Sequence, residues 1–250
     1  MINTFVSCWK ESILFFSLHN LNAIVIAFGK SLVAFVKKLW FLIFLLLGLQ
    51  AFEIFNSLVW HKNSVWSIWN LLINAGVYVT TLGCFFMFLW SVRPSASDSL
   101  APKHRDYSLQ FFQKVVGFIT LMVLAPLGIA LATIGALFIL ELSSEGAVGL
   151  KLFALGIIKS IKFALCFLPG MLFLTLISFI PDFLGLPLFA FRIPWTHGPI
   201  AQLLAALPRT VSLFVPMLIS LIGFIVRAFI ISVCATFFMQ LKGRHSRLFN

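Results

Sequence analysis

The sequence predicts an all-α membrane protein, a polytopic transmembrane helix bundle of about five spans (four to six) with amphipathic interfacial helices. Three observations lead there. Hydrophobic residues make up 61% of the 250 positions and charged ones only 10%, against roughly half and about a quarter in a soluble domain. Mean hydropathy is +1.08, so too few polar side chains remain to cover a soluble globule. Several apolar runs reach the length of about 20 residues that a helix needs to cross hydrocarbon. A soluble enzyme, a secreted disulfide scaffold and a disordered chain are excluded together.

Along the chain, residues 11–36 are apolar but carry His19, Asn20, Asn22 and Lys30, which reads as an amphipathic helix in the membrane interface, with a crossing helix as the alternative. No strongly basic start or small-residue cleavage site marks a removable leader. The first span is 39–60, WFLIFLLLGLQAFEIFNSLVW after its leading Leu. Trp40 and Trp60 bracket it about 30 Å apart on a helix, the spacing of two interfacial aromatic belts. The second span is 66–92, and the short connection makes the two an antiparallel hairpin. After a basic loop from Arg93 to Lys114, a third span is expected over 115–142. Residues 150–162 place Lys151, Lys159 and Lys162 on one helical face opposite Leu, Phe and Ile, a second interfacial helix. A fourth span, 163–180, is expected to bend at Pro169-Gly170. Segment 181–209 holds five of the ten prolines and is not expected to cross as a regular helix. The last span is 211–241. All of this reads as one integral membrane domain.

Eighteen Lys and Arg against seven Asp and Glu give a charge of +11. The basic residues sit beside apolar runs, where they set topology and meet anionic lipid headgroups, so membrane lipid rather than nucleic acid is the expected partner. The four cysteines show no Cys-x-x-Cys spacing, which indicates neither a disulfide framework nor a zinc site. Lys10, Lys30, Lys37 and Lys38 put the N-terminus in the cytoplasm of a plasma or bacterial inner membrane. Five spans then leave Lys151, Lys159, Lys162 and the tail LKGRHSRLFN outside, against the positive-inside rule. Six spans need the proline-rich segment to cross, and four need 163–180 to dip and return.

A few polar residues lie where they are expensive. Glu53 in the first span and Arg227 in the last reach similar depth in either topology, so an intramembrane Glu53–Arg227 pair is expected, more for helix register than for transport. Gln50, Glu53 and Ser57 line one face of the first span; Asn70, Asn74, Tyr78 and Thr81 line one face of the second. Such stripes line a hydrated path or, more often, make interhelical hydrogen bonds. Gly128, Ala132 and Ala136 have the spacing of close helix packing. Asp182, Arg192, His197 and Arg209 fall in the proline-rich segment, the best place for a loop site, although an ordinary surface loop carries such charges too. No catalytic residues are assigned. No His-x-x-x-His, Gly-x-Ser-x-Gly or P-loop occurs, and no metal or cofactor is expected.

SLVAFVKKLWFLIFLLL from Ser31 and SLQFFQKVVGFITLMVL from Ser108 match in six of seventeen positions. With the closing FMQLKGR from Phe238, these segments resemble bacterial multi-pass inner-membrane families of unassigned role, such as the membrane domain attached to some glycerophosphodiester phosphodiesterases. The resemblance covers about two thirds of the chain, carries no catalytic motif and implies architecture only. The expected function is therefore a non-enzymatic membrane component, either a partner subunit or a lipid-organising protein. The alternative is a small-solute transporter or channel using the polar stripes with Arg227. An enzyme centred on Asp182 and His197 ranks third.

Overall fold

No proline occurs between Leu18 and Val59, and nothing in that stretch ends a helix. In the structure, a computed structural model that describes residues 2–59, 68–92, 107–142, 150–183 and 209–249, it forms one helix of 42 residues, α2 (Leu18–Val59). It is preceded by α1 (Ile2–Leu14). The chain turns at residues 15–17, where Phe16 and Ser17 donate backbone bonds to Ile13 and Leu14 and the Asn20 amide donates to the Phe15 carbonyl at 3.2 Å. This corrects the expected division between an interfacial helix over 11–36 and a span over 39–60. Lys37 and Lys38 mark no break, because charge alone does not interrupt backbone hydrogen bonding.

α3 (Ile68–Val92) runs antiparallel to α2, with Phe88 near its end packed edge-on against Phe28 and Phe35 in the first half of α2. α4 (Tyr107–Leu124) follows and returns along α3. Phe86 meets Phe118 at 5.9 Å, and the Lys114 ammonium lies 4.7 Å over the Trp90 ring.

The expected span over 115–142 is broken in the middle. Pro126 lies in a 3₁₀ turn, Ala125–Leu127, and Gly128 follows with φ +128°, a conformation open to glycine at little cost. α5 (Ile129–Leu142) therefore folds back on α4. A Cβ added at Gly117 would lie 3.3 Å from the Leu140 side chain, and one at Gly135 would meet Thr120 and Leu124, so this is a helical hairpin and not one crossing helix. With 14 residues, α5 rises about 21 Å, short of the roughly 30 Å hydrocarbon core. Twelve of those residues are buried, which makes α5 the central helix of the molecule. Of the Gly128, Ala132, Ala136 series, the two alanines are fully buried, whereas Gly128 makes the turn.

α6 (Leu150–Cys166) packs on α5 through its buried side, Leu152, Gly156, Ser160, Phe163 and Cys166. α7 (Leu168–Phe183) leaves it at 103°. The break falls at Phe167, just before the expected Pro169-Gly170, because Pro169 fits the first turn of a new helix, where no N–H is needed, but not the interior of α6. α8 (Arg209–Arg244) closes the fold, followed by a 3₁₀ turn, Ser246–Leu248.

Every regular element among the described residues is helical. Among the described residues, two stretches, Asn20–Lys37 in α2 and Leu221–Arg244 in α8, are long and apolar enough to cross a membrane, and the bent α6–α7 pair makes a third if it is one broken span. These helices do not confirm a five-span bundle.

Candidate functional site

Among the described residues, a cluster of charged side chains lies where the two ends of the molecule meet. α8 ends in Lys242 and Arg244, the cations favoured at a helix C-terminus. Lys242 pairs with Glu141 at the end of α5. His245, whose backbone N–H still bonds the Leu241 carbonyl, reaches α1: its Nε2 lies 3.1 Å from Glu11 Oε2. Arg244 Nη1 is 3.8 Å from the same oxygen. On the other side of the imidazole, Nδ1 lies 3.8 Å from Cys8 Sγ. Cys8 and Glu11 are three positions apart on α1 and so share a face.

The tail then turns inward. Lys162 of α6 donates to the Leu248 carbonyl, and Phe249, 2% exposed, inserts its ring among Phe138, Phe163 and Phe167. Lys242 also rests over the Phe138 and Phe238 rings, a contact that favours a cation. The resulting clasp ties α1, α5, the α6–α7 elbow and the chain end together. Burial pushes the Cys8 thiol above its ordinary value of 9.0, with Cys166 and Glu11 nearby adding to the shift, so Cys8 is a neutral thiol at neutral pH. Among the described residues no three of His, Cys, Asp and Glu gather as a metal site.

The residues singled out in the sequence lie elsewhere. Arg227 is buried in α8 at 4% exposure, and the contacts of Phe28 with Phe229 and of Phe35 with Phe224 set its level on α2 between residues 28 and 35. Glu53 stands 18 positions beyond Phe35 on the same unbroken helix, roughly 27 Å further along. The Glu53 side chain lies outside the described set, and the expected Glu53–Arg227 pair lies outside it as well. Tyr78 donates its hydroxyl to the Met122 carbonyl across the α3–α4 joint at 3.2 Å, and Thr81 bonds the Val77 carbonyl of its own helix. In the stripe, these two act as hydrogen-bonding groups. Gln50, Asn70 and Asn74 sit on α2 and α3 with side chains outside the described set, as are those of Asp182 on α7 and Arg209 at the start of α8; Arg192 and His197 lie outside the described residues.

Sequence reasoning assigned none of Cys8, Glu11, Lys162, Glu141, Lys242, His245 and Phe249 to a site. One signal was present: the basic run LKGRHSR is followed by Leu248 and Phe249, an apolar pair that a purely solvated tail does not need. No protein-family model, curated protein or solved structure matches this chain. The geometry of the clasp and of the helix faces is what bears on function.

Proposed function

We propose that the protein is a non-enzymatic membrane component that organises anionic lipid at the cytoplasmic face of its bilayer. The observation that carries this reading is the outer face of α6. Leu150, Ile158, Ile161 and Leu165 are exposed there and alternate with the exposed Lys151 and Lys162. A helix of this kind rests with its apolar side chains among acyl chains and its ammonium groups among phosphates. α7 continues the apolar surface through Leu172, Phe173 and Leu176.

Charge supports a matching topology. Glu11 meets His245, and Glu141 meets Lys242, so α1, the end of α5 and the end of α8 share one side. Because α4 and α5 return to the side they start from, Lys151, Lys159, Lys162 and the C-terminal cations join Arg93, Lys103 and Arg105 inside. In this reading α2, α3, the bent α6–α7 pair and α8 make four crossings, and α4–α5 is a re-entrant element tolerated because α5 is enclosed by protein. The conflict that five spans create with the positive-inside rule is then gone.

Native mass spectrometry of the gently extracted protein tests the function. It should retain anionic phospholipid, and replacing Lys151, Lys159 and Lys162 together by Gln should remove most of it. Added mass from a second polypeptide, with no retained lipid, would replace this reading with that of a partner subunit.

A further inference from the structure

The chain end is basic, and the surface on which it settles is basic too. Arg244 and Arg247 are exposed on the chain end, as are Lys10 on α1 and Lys162 on α6, the helices it joins. Two contacts gather these four cations. Arg244 Nη1 lies 3.8 Å from Glu11 Oε2, and Glu11 follows Lys10 directly in α1. Lys162 donates to the carbonyl of Leu248, the residue after Arg247. Among the described residues, Lys10, Lys162 and Arg247 pair with no carboxylate. Seating the chain end therefore costs like-charge repulsion, offset by the burial of the Phe249 ring among Phe138, Phe163 and Phe167.

Seating also builds a surface that neither part has alone. The four cations come together beside Phe5, Val6, Trp9 and Ile13, exposed on the outer side of α1. Basic groups next to an apolar, tryptophan-bearing face suit the headgroup layer of an anionic bilayer. An ammonium has three donors, so Lys162 keeps two for phosphate oxygens while holding the Leu248 carbonyl. Coupling of this kind is reciprocal: if the seated end binds anionic lipid more tightly, anionic lipid holds the end in place by the same factor.

We propose that residues 245–249 are a lipid-coupled strap. Seated, the strap completes a headgroup surface from Lys10, Lys162, Arg244 and Arg247, and an anionic bilayer neutralises their repulsion and keeps it seated. Phe249 stacks on Phe167, where α6 and α7 part at 103°, so lipid at the strap bears on the elbow through one ring. This coupling deepens the lipid-organising reading and rests on it, since both need anionic phospholipid on the side of α6.

The test uses the full chain in vesicles of phosphatidylcholine, with and without phosphatidylglycerol. Nitroxides on Ser246→Cys and Leu150→Cys report the distance between strap and α6, and the native cysteines are buried and stay unlabelled. Phosphatidylglycerol should raise the ratio of the narrow, seated distance to the broad, released one by roughly fivefold, the low end of ordinary coupling. Salt at about 1 M, where the screening length is about 3 Å, should abolish the gain. Phe249→Ala keeps every charge, yet should bind phosphatidylglycerol roughly fivefold more weakly in a native mass spectrometry titration. Equal binding by Phe249→Ala and the unaltered chain, or distances indifferent to phosphatidylglycerol, overturns the coupling. The same gain from inorganic phosphate at matched ionic strength overturns the bilayer as partner. If Phe249→Ala fails to fold, the distances in the chain that keeps Phe249 decide. An unaltered chain that retains no phosphatidylglycerol ends the lipid-organising reading as well, which tells the two failures apart.

Discussion

Gly170 is held closely by its neighbours. A Cβ there would lie 2.7 Å from the Phe237 ring and 3.1 Å from Ser12, and that ring is itself wedged against Phe15, Phe163 and Phe167. Gly170→Ala should therefore destabilise the protein by about 1–3 kcal/mol, the range of overpacking. Gly29→Ala, with nothing within 4 Å of its added carbon, should cost nothing. Thermal melts of the two variants in one detergent check this, and equal melting temperatures would contradict it. At the other end of the size scale, Phe249→Ala removes a ring buried among three others and should cost about 3 kcal/mol. Limited proteolysis should then remove the tail first. The sequence marked Gly170 only as part of a bend and Phe249 not at all, since the packing of Phe249 on Phe138 joins distant parts of the chain and no periodicity reports such a pairing.

The helices themselves were largely legible, because hydrophobic runs and the absence of proline between Leu18 and Val59 depend on local sequence alone. Their breaks were less so. Pro126 and Gly128 sit inside a stretch uncharged as far as Leu140, and hydropathy does not distinguish one long span from two short arms. Packing decides it: α5 fills the centre only by folding back on α4. The arms can be tested directly. An added Cβ at Gly135 lies 3.2 Å from Thr120 Cγ2, so cysteines placed at 120 and 135 should cross-link on mild oxidation. In one continuous helix those positions would stand about 22 Å apart, and no disulfide could form. Failure of the pair to cross-link, in protein that retains its helical content, would restore the single span.

For the molecule as a whole, composition was enough to indicate a helical fold with helices apolar enough to cross a membrane, but not the number of crossings, since each broken span changes the side of everything after it. Register was hidden for a related reason: depth was counted from the ends of spans, while the register of α8 on α2 is set by Phe28, Phe35, Phe224 and Phe229. The central claim is that both ends of the chain and α6 share the cytoplasmic side. Single cysteines at Leu150, 84% exposed, and at Ser246, also exposed, test it in intact cells with a maleimide that does not cross membranes. The four native cysteines are buried and contribute little background. The account predicts no labelling of either position until the membrane is permeabilised, then ready labelling of both. Labelling of either one from outside in intact cells would contradict it.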